Sequence, residues 1–354
     1  MIPSLYIKDI EGIIKEIGLL MFTLMSTESL EFLLIITSGY LLRDSLSFFI
    51  KLMLNRGLYW IHHDKNVKMN NRNKKAYLEY EKSFLNRRTG DRMRICVLSS
   101  GSVGNATIIE TEQTAILIDN GLSLKKLQEL IKKSGFDENR IEHILITHEH
   151  GDHIKGVGVC TRKWKLNVCA TAKTIDEMYR KNIIKPGVEQ TTAVEKNVWF
   201  ELGDLSIMPF RISHDAVDPV GYMIKQGEKK LVYVTDTGYI TGDILKTLGN
   251  ADAYIMETNH NVEMLQMCNR PWSLKQRILD DCGHLSNEDS AYAMSQLIGE
   301  KTKHIYLAHL SQDANLPDLA EMTVRHILKE ENVDLSKLNL HMTYAMHPSK
   351  VITL

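Results

Sequence analysis

The stretch Ile144–His153, ILITHEHGDH, places three imidazoles and two carboxylates within six residues. The apolar run Ile144-Leu145-Ile146 predicts a buried strand, and the polar residues begin where that run ends. Histidine and aspartate are poor strand formers, and crowding them costs desolvation unless something compensates. A divalent cation compensates, because neutral imidazole suits zinc and its neighbours and carboxylate completes the charge. The spacing H-x-H-x-D-H fits two ions better than one. In an extended turn His148 and His150 point the same way and can grip one ion. Asp152 continues that phase while His153 swings out of it, and a tight turn at Gly151 can aim both at a second ion.

Further metal-ligating residue types end three later β-prone runs. Phe210-Arg211-Ile212-Ser213 leads to His214, Leu231–Thr235 to Asp236, and Ile305–Ala308 to His309. Taken singly, each reads as an ordinary polar strand end. Taken in this order after Thr147–His153, they resemble the metallo-β-lactamase-fold hydrolases. The resemblance implies an α/β fold of αββα sandwich type and a site for two divalent ions, zinc or manganese. Carried onto this sequence, it puts His148, His150 and His214 on one ion and Asp152, His153 and His309 on the other, with Asp236 bridging. Asp119, which ends the strand Ala115–Asp119, falls where the family keeps an aspartate that orients the ligand loop by hydrogen bonds. A water shared by the ions would attack phosphorus, with Asp152 accepting its hydrogen bond and aiming it.

Later stretches narrow the branch. Gly283-His284-Leu285-Ser286 is similar to the Gly-His-Ser-Thr motif of tRNase Z-like phosphodiesterases, where the histidine assists the leaving group through a glutamate. The matching residues are His284 and Glu257, each of which also reads alone as a loop histidine or a structural acceptor. That segment occurs together with Ser99–Asn105, Glu257–His260 and Pro271–Arg277, and the combination resembles the bacterial YycJ/WalJ-like metallohydrolases over Met93–Leu354. This implies a nuclease acting 5′ to 3′ on double-stranded DNA, some relatives being linked to cell-wall regulation. Asn261 stands where that group has aspartate. The 73 residues from Asp236 to His309 leave no room for a β-CASP insertion, and Leu310-Ser311-Gln312-Asp313 lacks the Arg-Tyr of the tRNA-processing branch. The substrate contacts expected on this reading are Ser100, Asn105, Asn259 and His260, with Lys275 and Arg277 meeting backbone phosphates. Two other readings stand beside it: hydrolysis of a small ester, thioester or lactone, and a non-catalytic metal-binding regulatory protein.

The elements that must position these residues follow from periodicity and caps. Strands are expected at Arg94–Leu98, Ala106–Glu112, Asn167–Ala170, Val198–Leu202, Leu205–Ile212, Val220–Gln226, Lys230–Thr235 and Ala253–Glu257. Ser99–Asn105 is a Gly/Ser turn, either a plain hairpin or a loop that lines the site with its N–H groups. Ser123 caps a helix with Leu124, Leu127 and Ile131 on one face and Gly135 as its stop. Ile154–Trp164 and Ala172–Lys181 read as helices, and Ser286 with Asp289 opens another. Arg162, Lys163 and Lys165 around Trp164 read as a solvated face rather than a phosphate patch.

Composition sets the remaining bounds. The 354 residues carry a formal net charge of −1, so no global basic field announces nucleic acid, and any such site is a local patch. The odd and scattered cysteines, Cys96, Cys160, Cys169, Cys268 and Cys282, predict reduced thiols and a cytoplasmic location, and Cys160 and Cys169 read as core residues before they read as metal ligands. Residues 1–92 differ from the rest. Their apolar runs Ile17–Thr27 and Phe32–Leu42 fall short of the roughly 18–20 residues of a membrane span, and no signal-peptide pattern is present. Residues 51–92 are polar and basic. They read as an extension before a catalytic domain at 93–354, with Met93 a natural start. A misassigned start codon, a helical accessory segment and a membrane-surface anchor all remain open. The sequence does not choose zinc or manganese, DNA or RNA, or monomer or homodimer.

Overall fold

The computed structural model describes residues 92–354. The extension expected over 1–92 lies outside the described residues except for Arg92. Among the described residues two seven-stranded sheets form. The first contains β1 (Arg94–Ser99), β2 (Ala106–Glu110), β3 (Ala115–Ile118), β4 (Ile141–Leu145), β5 (Asn167–Ala170), β6 (Gln190–Ala193) and β14 (Ile352–Thr353), in the order β14-β1-β2-β3-β4-β5-β6. The second contains β7 (Phe200–Leu202), β8 (Leu205–Arg211), β9 (Val220–Gln226), β10 (Lys229–Val234), β11 (Ala253–Glu257), β12 (His304–Ala308) and β13 (Asn339–Met342), in the order β13-β12-β11-β10-β9-β8-β7. Each sheet is half antiparallel and half parallel: β3 to β6 run parallel in one, β10 to β13 in the other.

Side chains alternate between the faces of a strand, and both faces are covered. From β1, Ile95 and Val97 enter the layer between the sheets, where they join Ile116, Leu145, Ile207, Tyr222, Tyr233 and Ile255. Cys96 and Leu98 face the other way, into a layer shared with helices α1 (Leu124–Lys133), α3 (Val157–Trp164) and α4 (Ala172–Arg180). Val232, Val234, Tyr254 and Met256 of the second sheet pack outward against α5 (Gly242–Leu248), α8 (Asn287–Leu297) and α9 (Pro317–Glu330). This is the expected αββα sandwich. Double coverage explains why these strands read as unbroken apolar runs.

The predicted strands appear within a few residues of their expected ends. The expected helix Ile154–Trp164 is instead two: α2 (Gly151–Ile154) and α3, parted at Lys155-Gly156. The Gly156 N–H donates to the Asn120 carbonyl at 2.9 Å, and a Cβ on Gly156 would lie 1.8 Å from the Leu122 carbonyl oxygen. The chain is pinned against the β3–α1 turn there and cannot continue one helix. Cys160 and Cys169 are core residues.

The turns flanking the ligand loop strap it in place. Asn105 N–H donates to the Asp152 carbonyl at 2.8 Å, and Asn120 N–H to the His153 carbonyl at 2.7 Å. Gly121 lies so close that a Cβ there would sit 1.8 Å from the Asp152 carbonyl oxygen. Gly121→Ala must therefore displace backbone on one side or the other. A loss of about 2–3 kcal/mol is expected, read as a lowered Tm in thermal unfolding; an unchanged Tm would show that the strap is slack.

Candidate metal centre and active site

The polar residues singled out in the sequence leave the C-terminal ends of strands, where open α/β sheets present their ligands. Thr147–His153 follows β4, His214 follows β8, Asp236 follows β10, and His309 follows β12. Two sheets that face each other bring these ends to one rim. Ligand atoms of His148, His150 and His214 lie within 4.8 Å of one another, as do those of Asp152, His153 and His309. Asp236 joins the two sets: it groups with His148 and His153 on one side, and with His284, His309 and Glu257 on the other.

Each ring is oriented from behind. Asp119, fully buried, accepts from Thr147 N–H at 2.9 Å and from Thr147 Oγ1 at 2.8 Å, and its Oδ2 lies 2.8 Å from His153 Nδ1. An N–H at Nδ1 leaves the Nε2 lone pair of His153 free. His214 Nδ1 lies 3.2 Å from the carbonyl oxygens of both Cys282 and Gly283, which fixes the same tautomer there. Glu257 Oε1 is shared, 2.9 Å from His309 Nδ1 and 2.8 Å from His284 Nδ1. Its Oε2 accepts from Thr237 N–H at 2.8 Å. Asp119, Asp236 and His309 all take left-handed backbone, with φ of 58°, 59° and 57°. Non-glycine residues adopt this conformation at some cost, and it turns each side chain back over its strand end.

The electrostatics call for added positive charge. Burial pushes the His148 pKa well below its ordinary value, and the charge on His153 pushes it further, so His148 is a neutral imidazole. Its Nε2 is buried without a hydrogen-bond partner, and so is Asp236 Oδ2. Burial alone would lower His309, but Asp236, Asp152 and Glu257 outweigh it and hold it at about 10. Burial likewise opposes the charge on His153, and Asp236, Asp119 and Asp152 overcome it. Glu257 is held at about 2 because His284 and His309 outweigh its burial. Orphaned acceptor atoms facing carboxylates that draw cations are the donor set a divalent metal fits, and a metal would replace those protons. The residues present therefore suit such ions.

The rim opens into a cavity of about 440 Å³. His150, Asp152, His214, Asp236, His284 and His309 form its floor side, and Asn259, Arg277, Leu274, Ile278, Ser311 and Ser102 are among its other walls. Two cations there carried no signal in the sequence. Lys181 sits at the end of α4 and donates to the Glu149 carbonyl at 2.9 Å, and Arg270 pairs with Asp313 at 2.8 Å. The junction role of Thr147 was also missed, although it directly precedes His148.

Several expected substrate contacts lie elsewhere. His260 is 1% exposed and off the cavity; its carbonyl accepts from Asn287 N–H at 2.8 Å and holds the Gly283–Asn287 loop to the end of β11. Lys275 is buried, and its Nζ donates to the Gln266 carbonyl at 2.6 Å, capping α6 (Val262–Met267) instead of reaching phosphate. Ser100 is buried and its Oγ accepts from His309 N–H at 2.7 Å. Asn105 is buried with Nδ2 3.3 Å from Asp152 Oδ2 and 3.0 Å from His153 Nε2. These two brace the ligand cluster, and Ser102 is the member of their loop that reaches the cavity. Asn259 is a wall residue, its Nδ2 donating to the His309 carbonyl at 2.8 Å. Arg277 is a wall residue too, paired with Asp215 at 2.5 Å.

Comparison with known proteins agrees with this geometry. The family profile described as "Beta-lactamase superfamily domain" matches residues 114–310. The chain is 40% identical over 269 residues to a Bacillus anthracis protein named exodeoxyribonuclease YycJ, covering 73% of this chain and 98% of the relative. It is 42% identical over 238 residues to exodeoxyribonuclease WalJ of Streptococcus pneumoniae serotype 2, covering 67% of this chain and 88% of the relative. Among solved structures, the metallo-β-lactamase fold protein YhfI from Bacillus subtilis superposes with a TM-score of 0.57 at 15% identity, covering 75% of this chain and 100% of that one. The fold, the gathered donor set and these relatives together place the chain in the β-lactamase superfamily of metal-dependent hydrolases, in its YycJ/WalJ-like branch.

Proposed function

We propose that this protein is a two-metal phosphodiesterase that degrades DNA from a 5′ end. The observation that carries the reading is His284, held by Glu257, in the same cavity as His150, Asp152, His214, Asp236 and His309 of the donor cluster. A positioned proton donor is needed where the leaving group is a poor one such as a sugar alkoxide, and much less for a thioester or an activated ester. The exodeoxyribonuclease names of the relatives, matched over 98% and 88% of their lengths, support DNA as the substrate.

His148, His150 and His214 would hold one divalent ion and Asp152, His153 and His309 a second, with Asp236 between them. When bound, such a pair neutralises phosphate charge and acidifies a water. The protein's own groups do the rest. Asp119 keeps the His153 proton on Nδ1, and the Cys282 and Gly283 carbonyls do the same for His214. Asp152, ionised, accepts a hydrogen bond from the attacking water. Attack at phosphorus breaks the bond to the 3′ oxygen of the terminal nucleotide. His284, whose Nδ1 is engaged by Glu257, gives that oxygen a proton from Nε2. Lys181, Arg270 and Arg277 offer cationic wall to the neighbouring phosphates.

Three outcomes test this. In zinc or manganese, the full chain should shorten a 5′-phosphorylated duplex stepwise from its 5′ ends, and His148→Ala should lose most of that activity; near-wild-type turnover by the variant would contradict the ligand assignment. Asp119→Ala should weaken metal affinity about 10–100-fold, measured by competition with a chelating dye. His284→Ala should cost about 10²–10⁴-fold on DNA yet far less on an aryl phosphodiester, whose phenolate departs without a proton. Equal losses on both substrates would remove the proton-donor role.

A further inference from the structure

Helix α7 (Trp272–Leu279) forms one wall of the cavity through Leu274, Arg277 and Ile278. It packs inward through Leu274 and Ile278 against Leu265 and Ala314. Trp272, at its first turn, takes no part in that packing and is 62% exposed, and Met267 just before it is 78% exposed. Leaving two large apolar side chains in water forgoes burial that would stabilise the fold. Their location is specific. Trp272 lies two residues from Arg270 and two from Leu274, both wall residues, so it sits within about 7 Å of chain from each. Pro271 (φ −55°, ψ 143°) fixes the backbone direction at the start of the helix, just before Trp272. The far end of α7 abuts the proton-donor loop: His284 N–H donates to the Ile278 carbonyl at 3.0 Å. From Ile278 back to Trp272 the helix rises about 9 Å, the scale of one nucleotide. Helix α7 thus runs from the proton-donor loop at Ile278 to an exposed indole at Trp272, and Arg270 and Arg277 line the cavity beside it.

We propose that Trp272 is a base-stacking platform that seats the terminal base of the DNA strand whose phosphate reaches the donor cluster. The proposal rests on the DNA-end reading above and specifies which surface holds the end. An aromatic face accepts any base, and neighbouring arginines supply the phosphate contacts that single-strand sites combine with such stacking. Arg270 and Leu274, two residues to either side of Trp272 in the chain, line the cavity, which sets the short span over which a strand end would engage both.

The test is steady-state degradation of a 5′-phosphorylated duplex DNA by the full chain, with Trp272→Ala and Trp272→Phe beside wild type. A matched duplex with abasic residues at its two 5′-terminal positions serves as the control. Stacking is worth about 1–3 kcal/mol per base, so Trp272→Ala should raise KM about 5–150-fold on the normal duplex with kcat little changed. Trp272→Phe should restore most of the loss. On the abasic duplex wild type and Trp272→Ala should behave alike. An unchanged KM for Trp272→Ala, or an equal rise on both duplexes, overturns the platform. If wild type itself degrades no DNA, the nuclease reading fails first, a result recognisable because it does not depend on residue 272.

Discussion

Asp119 is a carboxylate with no access to water, and much of the candidate centre hangs from it. Burial raises its pKa, and His153 with two hydrogen bonds from Thr147 offsets that burial in part. Removing those partners would leave a charge uncompensated in the interior, which costs several kcal/mol. The arrangement therefore locks Thr147 and His153, at the two ends of the ligand loop, to the end of β3. Thr147 Oγ1 also lies 3.0 Å from His148 Nδ1, so one buried acceptor fixes residues that belong to both halves of the centre.

Glu257 does on the second sheet what Asp119 does on the first. It is fully buried, ends β11, and orients His309 and His284 from one oxygen. One of those rings belongs to the donor cluster and the other to the proposed proton donor. The centre thus has two buried carboxylates, one per sheet, each aiming rings into the space between the sheets. Left-handed backbone at Asp119, Asp236 and His309 completes the geometry. Aspartate and histidine tolerate that conformation better than β-branched residues do. It lets a strand that runs toward the rim turn its terminal side chain inward immediately.

The misplaced substrate contacts share one cause. Ser100, Asn105, His260 and Lys275 are polar residues in motifs that end at the site, and position in a motif does not reveal which way a side chain faces. Ser100 and Asn105 face inward because the β1–β2 turn lies under the donor cluster. Lys275 misses the cavity because it lies on the buried side of α7 beside Ile278, where its amine donates to the Gln266 carbonyl of the neighbouring helix. Lys181 and Arg270 reach the cavity from elements whose sequence carries nothing but ordinary surface charge.

The amino-acid order by itself determined the donor set, the strand ends that carry it and the layered architecture. Metal chemistry restricts residue type and spacing so narrowly that His148 to His153 has few other readings, and doubly covered strands must be apolar throughout. The pairing of Glu257 with His284 was also legible, through its motif. Tertiary structure alone decided what stands around that set: the break at Gly156, the inward turn of Ser100 and Asn105, the cations at Lys181 and Arg270, and the exposure of Trp272. Each depends on contacts between segments far apart in the chain, such as Gly156 with Leu122 or Lys181 with Glu149. Local spacing encodes which atoms can bind a metal; which face a residue shows to the cavity is set by whatever packs on its other side.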